Sequence, residues 1–235
     1  MEQGVGGMVP GLEDGLFGRL RREAGEDWAA YVGHPFVRAL ADGTLSAERF
    51  RHFLVQDYLY LLHYARACAL AIYKSDTLAE MRAGAQTVSG LLLAELSLHV
   101  EFCRGWGLDE DALQRQPASI ETMAYAGFVL DRAQAGDLLD LVSVLSACLV
   151  GYAEIGARLL ADPATRREGN PYWSWIETYS GPAYGELAAG GIARLNALGE
   201  IRGGAARFPL LLRDFRTAVR LECAFWSGAM AVDAV

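Results

Sequence analysis

Apolar residues recur along this chain at the three- and four-residue intervals typical of helices, and stretches that alternate between polar and apolar positions are nearly absent. Capping and helix-breaking residues divide the pattern into segments. Asp42-Gly43 ends a short helix, and Ser46 caps the next one. The longer predicted helices cover residues 12–32, 46–73, 77–105, 117–134, 137–160, 183–200 and 209–232, and a short aromatic helix covers residues 172–179. The pattern therefore predicts an all-α protein, a multi-helix bundle with one long apolar helix at its centre.

The predicted helix over residues 137–160 is apolar on every side. Its longest apolar run, residues 138–152, contains Asp140 and is shorter than the roughly 18 residues expected of a membrane-spanning helix. We therefore expect a buried core helix. Cys148 and Tyr152 lie four residues apart in it, about 40° apart around the helix axis, so the thiol and the phenol share one face. Buried polar groups at this spacing indicate a pocket, although packing alone also explains the pair.

The length of 235 residues allows one or two domains, and no stretch has the Pro-, Ser- or charge-rich composition of a linker. We therefore expect a single helical domain over residues 11–235. Residues 1–10 are rich in Gly and have no periodicity, which predicts a disordered N-terminal segment.

The formal net charge is -8 at pH 7, with an isoelectric point near 5.0. Nucleic-acid and anionic-membrane surfaces require clustered Lys and Arg, so this charge argues against both partners and favours a small molecule or another copy of the chain. No N-terminal stretch combines basic residues, an apolar run and a small-residue cleavage site, so we expect a cytoplasmic protein. The four cysteines, Cys68, Cys103, Cys148 and Cys223, lack C-x-x-C spacing and are predicted to be free thiols.

Asp57 and Tyr60 lie three residues apart in a predicted helix, so a carboxylate and a phenol share one face. Such a pair suits a flat, nitrogen-rich ligand. The carboxylate accepts hydrogen bonds from an amidine-like ring edge, and the ring stacks on the tyrosine. The alternative is an ordinary ion pair between Asp57 and an arginine.

Glu95 and His99 lie four residues apart, a spacing that invites a metal-site interpretation. A carboxylate-bridged di-iron bundle needs Glu-x-x-His on two helices, and that spacing does not occur at any of the four histidines. We therefore expect no metal ion here and a supporting hydrogen bond from His99 instead.

Cys148 would need activation to act as a nucleophile, because the thiolate is the reactive form. Glu222, which has apolar neighbours in the last predicted helix, is the candidate acid or base, since a buried carboxylate is unfavourable unless it is paired or used. Glu154 shares the helix of Cys148 but points about 240° away, which predicts a structural ion pair.

A series of segments in this order resembles the TenA family, also called thiaminase II. The segments are His34-Pro35-Phe36-Val37, Asp42-Gly43-Thr44-Leu45, Gln56-Asp57, Tyr125, Cys148 with Tyr152, Glu154-Ile155-Gly156, Trp175-Ile176-Glu177-Thr178-Tyr179, and Glu222 with Phe225-Trp226. Each motif is loose by itself, but together they cover nearly the whole chain in the correct order. Because Cys148 is retained, the chain resembles the cysteine-containing subgroup.

The resemblance implies a haem-oxygenase-like helical fold without haem or another cofactor, a homotetramer, and a role in thiamin salvage. The implied reaction hydrolyses 4-amino-5-aminomethyl-2-methylpyrimidine, or thiamin, to 4-amino-5-hydroxymethyl-2-methylpyrimidine. By the same resemblance, the substrate-binding residues are Asp57, Tyr60, Tyr125, Tyr152 and Tyr179. Asp57 would grip the amidine edge of the ring, Cys148 would be the nucleophile, and Glu222 would serve the proton transfers.

Three residues near Cys148 depart from the family pattern. Ala147 replaces a frequent proline, and Val150 and Gly151 stand where larger or aromatic residues are common. The width of the pocket and the preference among the aminomethyl compound, its formylated relatives and thiamin therefore stay open. Two other functions also stay open. One is a non-catalytic binding protein for a thiamin-related or other flat ligand, and the other is a metal-dependent oxidase on the same fold.

Overall fold

The computed structural model describes residues 9–232, and over this range the backbone forms α-helices, a short π segment and no strand. The helices are α1 (Gly15–Val32), α2 (Pro35–Asp42), α3 (Ala47–Tyr73), α4 (Leu78–Gly90), α5 (Leu96–Arg104), α6 (Glu110–Gln114), α7 (Ile120–Ala135), α8 (Leu138–Ala161), α9 (Trp173–Ser180), α10 (Pro182–Ile201) and α11 (Gly204–Met230). The prediction of an all-α protein is confirmed. The predicted disordered segment, residues 1–10, lies outside the described residues except for Val9 and Pro10, and Val9 is buried.

Local side-chain chemistry sets the ends of α2 and α3 where the sequence predicts them. The N–H of Phe36 donates a hydrogen bond to Nδ1 of His34 at the start of α2. Gly43 ends that helix with a φ of 67°, a left-handed conformation that glycine adopts without strain. The Ser46 hydroxyl oxygen accepts a hydrogen bond from the N–H of Arg49, at 3.3 Å, and so caps α3.

The helix predicted over residues 77–105 is helical from Leu78 to Arg104, but a π segment that was not predicted, Leu91–Glu95, separates α4 from α5. A π turn takes about one residue more than an α turn, so it shifts the helical phase of all the residues that follow. The buried faces reflect this shift. In α4 the buried residue is Gly84, whereas α5 buries Leu96, His99, Val100 and Cys103.

Two further boundaries differ from the prediction. The short helix α6 was not predicted, because five residues are too few for an apolar repeat. Asp109 caps it at the N-terminus, where its side chain accepts a hydrogen bond from the N–H of Ala112 at 2.8 Å. Helix α11 begins at Gly204 rather than at Pro209. A proline close to the start of a helix removes a single backbone hydrogen bond, so it does not have to end the helix there.

The described residues form two compact units. The first unit comprises residues 9–45 and 143–223, and the second comprises residues 46–142 and 224–232. Of the predicted site residues, the first unit contains Cys148, Tyr152, Tyr179 and Glu222, and the second contains Asp57, Tyr60 and Tyr125. The single domain expected over residues 11–235 stays a prediction.

In the first unit, aromatic rings of α1 and α11 form a packed core. The Trp28 ring stacks on Phe215 with the centroids 5.7 Å apart and the planes 12° apart, and Phe17 contacts both rings edge-on. At the same pair of helices, Nε of Arg216 donates to the Asp27 carboxylate at 3.0 Å. Stacking and ion pairing therefore join these two helices.

Glu154 of α8 is buried in the first unit and forms the structural ion pair that its position predicts. Arg21 donates two hydrogen bonds to its carboxylate, both at 2.8 Å, Trp28 donates another at 3.0 Å, and Arg158 pairs with the same group. Burial alone would raise the pKa of Glu154, but the hydrogen bond and charge of Arg21 and the charge of Arg158 lower that pKa below its ordinary value. The prediction for Glu154 is confirmed.

Helix α8 is longer than the apolar run counted from the sequence. It has 24 residues, and its most apolar window has a mean hydropathy of 1.8, so length and composition alone would allow a membrane span. Because 83% of that window is buried inside the protein, the helix has the character of a core element. The predicted burial of this helix is confirmed. Its length, however, does not distinguish it from a membrane-spanning helix, as the shorter apolar run in the sequence had suggested.

Candidate active site

Asp57 lies in the middle of α3, where every residue from 53 to 61 is buried, and its carboxylate is hydrogen bonded to His99 of α5. The distance from Asp57 Oδ2 to His99 Nε2 is 2.7 Å, and the two side chains are 4% and 5% exposed. The other ring nitrogen, Nδ1, lies 2.9 Å from the backbone carbonyl oxygen of Glu95. The supporting hydrogen bond predicted for His99 is confirmed, and the partner of Asp57 is a histidine rather than the arginine of the alternative interpretation.

These contacts define where the protons of the pair lie. A carbonyl oxygen only accepts, so Nδ1 of His99 carries a hydrogen and donates it to Glu95. One further proton must lie between Nε2 and the Asp57 carboxylate, because two acceptors cannot hydrogen bond to each other. Burial lowers the pKa of His99, but the hydrogen bond and charge of Asp57 outweigh burial and raise this pKa above its ordinary value. The raised pKa favours the imidazolium form of His99 beside Asp57.

Both ring nitrogens of His99 are thus engaged in hydrogen bonds. Glu95 contacts the ring through its backbone carbonyl rather than its carboxylate. Within residues 9–232, no group of three His, Cys, Asp or Glu side chains has an arrangement that would hold a metal ion.

Tyr60 lies one turn after Asp57 on α3 and stacks on Tyr125 of α7. The ring centroids are 4.4 Å apart and the planes differ by 18°. Tyr64 and Phe225 contact the Tyr60 ring at 5.9 and 6.3 Å. The structure therefore brings the two predicted tyrosines of this unit together, with each ring covering one face of the other.

Gln56, for which no separate role was predicted, joins α3 to the start of α7. Its side-chain oxygen accepts hydrogen bonds from the N–H of Ser119 and the hydroxyl of Thr122, both at 2.8 Å. Its Nε2 donates to the carbonyl of Pro117 at 3.1 Å. These bonds hold the first turn of the helix that carries the stacked tyrosine. The signal that could have indicated this role is an amide directly before Asp57 in an apolar stretch of α3, since a buried amide needs hydrogen-bond partners.

In the first unit, Cys148 and Tyr152 lie one turn apart on α8, and both are buried. The Tyr152 ring contacts Tyr179 of α9 at 5.1 Å and Trp175 at 6.0 Å, and the last two rings lie 4.5 Å apart. The structure therefore brings Tyr152 and Tyr179 together. It also places Trp175 in this group, although only a role in core packing was predicted for Trp175.

The space next to Gly151 is filled by Tyr31 of α1. A Cβ at position 151 would lie 2.6 Å from the Tyr31 hydroxyl oxygen and 2.7 Å from Cζ of the same ring. The small residue therefore does not leave open space at this point of α8. Nothing in the local sequence identified Tyr31, because the contact joins segments that are far apart in the chain.

The chain has four free thiols, and burial raises the pKa of two of them. No disulfide forms among the four cysteines, all of which lie in the described range, so the prediction of free thiols is confirmed. Burial raises the pKa of Cys103 to about 11, and burial with the charges of Glu222 and Asp27 raises the pKa of Cys223 to about 11. Both thiols are therefore protonated at neutral pH and are poor nucleophiles. Glu222 itself is buried, with 1% of its surface exposed.

Comparison with known proteins agrees with the resemblance. The sequence matches the TENA/THI-4/PQQC family over residues 21–234. A relative from Haemophilus influenzae, described as an uncharacterized protein, is 36% identical over 88% of this chain and 95% of its own length. A relative from Halalkalibacterium halodurans, named aminopyrimidine aminohydrolase, is 34% identical over 89% of this chain and 93% of its own length. The crystal structure of a TenA family transcription regulator from Silicibacter sp. has a TM-score of 0.85 and 39% identity, covering 92% of this chain and 97% of that one. The chain therefore belongs to the TENA/THI-4/PQQC family.

Proposed function

We propose that the chain is an aminopyrimidine aminohydrolase of the thiaminase II type. Its substrate would be 4-amino-5-aminomethyl-2-methylpyrimidine, or thiamin, and its product 4-amino-5-hydroxymethyl-2-methylpyrimidine. The observation that carries the proposal is the buried Asp57 carboxylate held by His99, because an anionic acceptor suits the amidine edge of such a ring. The relative named aminopyrimidine aminohydrolase, 34% identical over 89% of this chain, supports the same activity.

In the proposed reaction, the Cys148 thiolate adds to a ring carbon and the ring π electrons move onto a ring nitrogen. These electrons then expel the group on the exocyclic methylene, which leaves as an amine after Glu222 donates a proton. Water adds to the methylene as Glu222 takes up one of its protons. The C–S bond then breaks, which restores the aromatic ring and returns the thiolate. Glu222 therefore acts first as an acid and then as a base.

Cys148 suits this role better than Cys103 or Cys223 does. Cys103 and Cys223 have pKa values raised to about 11, which keeps them protonated at neutral pH. Cys148 lies one turn from Tyr152 and belongs to the same unit as Glu222. A thiol beside a buried phenol and in one unit with a buried carboxylate has groups available for proton transfer.

Mass spectrometry of the product tests this proposal. Wild-type protein is expected to release the hydroxymethyl product from the aminomethyl compound or from thiamin, and Cys148→Ala is expected to lower kcat by about 1000-fold or more. Cys103→Ala, which removes another buried thiol, serves as the matched control and is expected to keep turnover. The hydrolase proposal is lost if wild type makes no product or if Cys148→Ala turns over normally. Calorimetry that detects tight binding, with the ligand recovered intact, would favour a non-catalytic binding protein.

We also propose that the chain forms a homo-oligomer, for which the family resemblance implies a tetramer. Large apolar side chains are exposed along α4, the π segment and α5: Leu78, Met81, Leu92, Leu93 and Leu98. Exposed large apolar side chains grouped along one stretch of the chain are typical of a protein interface, because their contact with water is unfavourable. A second copy of the chain fits such a surface, since the net charge of -8 disfavours nucleic-acid and membrane partners.

Light scattering after size-exclusion chromatography tests the oligomer. Leu93→Glu places a charge in the proposed interface and is expected to lower the measured mass to that of a monomer. Ile201→Glu is a matched control, because Leu93 and Ile201 are both 74% exposed and Ile201 lies on α10. Equal masses for wild type and Leu93→Glu would contradict this interface.

A further inference from the structure

We infer that His99 determines which pyrimidines Asp57 accepts. By holding Asp57 as a carboxylate whose Oδ2 is occupied, His99 makes Asp57 an obligate hydrogen-bond acceptor toward the ligand. The site therefore selects a ring that presents an amino group and rejects the otherwise identical ring that presents an oxo group. This inference deepens the proposed function and rests on it for the class of ligand.

The two carboxylate oxygens of Asp57 have different surroundings. Oδ2 accepts the hydrogen bond from His99 at 2.7 Å. Within residues 9–232, no other hydrogen bond to the Asp57 side chain occurs, although this side chain is 4% exposed. Oδ1 is therefore the carboxylate oxygen that is left to accept a hydrogen bond from a bound ligand.

The two N–H groups of His99 disfavour a proton on Oδ1 of Asp57. Asp57 can donate a hydrogen bond to a ligand if Oδ1 carries a proton. That protonation would leave the His99 imidazolium beside a neutral acid, because Nδ1–H is held by the Glu95 carbonyl and Nε2–H points at Oδ2. The imidazolium would lose its buried counter-charge, which is strongly unfavourable. The charges that act on His99 are those of Asp57 and Glu95, and both favour the imidazolium. Beside the His99 imidazolium, Oδ1 therefore accepts a hydrogen bond from the ligand.

The ligand must therefore offer a hydrogen-bond donor to Oδ1. The amino group of a 4-aminopyrimidine donates to Oδ1, which completes the hydrogen bonding of the carboxylate. An oxo group at the same ring position would bring a second acceptor against Oδ1, and both would remain unsatisfied. Sites built around one polar contact reject such analogues strongly, because the unpaired groups stay buried. We expect the amino compound to bind at least about 30-fold more tightly than the oxo compound, as for loss of one charge-assisted hydrogen bond.

Calorimetry with the product, 4-amino-5-hydroxymethyl-2-methylpyrimidine, and its 4-oxo analogue tests the inference. The readout is the ratio of the two dissociation constants. His99→Leu is expected to lower this ratio at least about tenfold, because Asp57 loses the charged partner at Oδ2 that makes it an acceptor toward the ligand. His99→Gln retains an N–H donor without the charge and is expected to give an intermediate ratio. His52→Gln, which changes a half-buried histidine elsewhere on α3, is expected to keep the wild-type ratio. A His99→Leu variant that weakens both ligands equally would overturn the inference, since a purely structural role predicts that result.

A second measurement uses the wild-type protein and so does not depend on whether a variant folds. In ¹⁵N NMR spectra at pH 7, both ring nitrogens of His99 are expected to show the chemical shifts of a protonated imidazolium. His34→Gln, His52→Gln and His63→Gln assign the remaining histidine signals. An unprotonated Nε2 on His99 at this pH would contradict the inference.

Failure of the inference and failure of the proposed function have different outcomes. If wild type turns over the aminomethyl compound and His99→Leu keeps the binding ratio, the role of His99 is wrong and the hydrolase stands. If wild type neither binds the pyrimidines nor forms product, the proposed function is wrong, and the inference that rests on it is wrong as well.

Discussion

Gly156 of α8 lies directly against the backbone of Tyr179 in α9. A Cβ at position 156 would lie 2.5 Å from the carbonyl oxygen of Tyr179 and 2.7 Å from the backbone nitrogen of Ser180. Backbone atoms cannot rotate away as a side chain can, so this close approach requires glycine. The contact lets α9 place the Tyr179 ring 5.1 Å from that of Tyr152.

Gly156→Ala is therefore expected to displace α9 and move Tyr179 away from Tyr152. We expect a loss of about 1–3 kcal/mol in the free energy of unfolding, measured by urea denaturation, and a raised KM in the product assay. Gly190→Ala is the matched control, because a Cβ at this helical position meets no atom within 4 Å. It is expected to be neutral or stabilising by up to about 1 kcal/mol. Equal losses for the two variants would refute the proposed contact.

Gly151 and Tyr31 are expected to behave as a coupled pair. Gly151→Ala places a methyl group 2.6 Å from the Tyr31 hydroxyl oxygen and should destabilise the protein by about 1–3 kcal/mol. Tyr31→Leu removes the ring that meets this methyl group. In a double-mutant cycle, the combined variant should be more stable than the sum of the single changes predicts, by about 1 kcal/mol. Strict additivity would show that the two residues do not compete for the same space.

The Glu154 ion pair predicts a dependence of stability on pH. The folded-state pKa of Glu154 is lowered from its ordinary value of 4.5, so its stabilisation is present above that value and is lost as the pH falls below it toward the folded-state pKa. Glu154→Gln should destabilise the protein by about 3 kcal/mol at pH 7, since it leaves the partly buried Arg21 without its partner. The difference from wild type should shrink below about pH 4.5.

Unfolding curves in urea at several pH values measure this difference. Glu101→Gln is the control, because Glu101 pairs with Arg104 at 3.0 Å on the exposed surface. An exposed pair contributes little, so this variant should follow the wild-type profile. A constant difference in the free energy of unfolding between wild type and Glu154→Gln across the acidic range would contradict the lowered pKa of Glu154.

Cys103 and Cys223 are expected to resist alkylation in the folded protein. With pKa values of about 11, fewer than roughly one in a thousand of these thiols is ionised at pH 7.5, and iodoacetamide reacts with the thiolate. Peptide mapping by mass spectrometry should find both residues unmodified in native protein and modified after denaturation. Rapid labelling of Cys223 in folded protein would contradict the raised pKa that burial and the charges of Glu222 and Asp27 give it.

Much of the helical architecture is local and was therefore predictable. Apolar periodicity located the long helices, and short-range caps such as that of Ser46 set their starts, because each interaction spans a few residues. The π segment Leu91–Glu95 and the short helix α6 escaped prediction. The π segment changes the helical phase without interrupting the apolar pattern, and α6 is too short to show an apolar repeat.

Sequence alone determined the fold class, the family likeness and the identity of the buried acid, thiol and tyrosines. The cytoplasmic location stays a prediction from the sequence. Tertiary structure decided which groups meet within each unit. It gave Asp57 a histidine partner, stacked Tyr60 on Tyr125 and filled the space at Gly151 with Tyr31. These contacts join segments far apart in the chain. They depend on how whole helices pack, which spacing along a single helix does not specify.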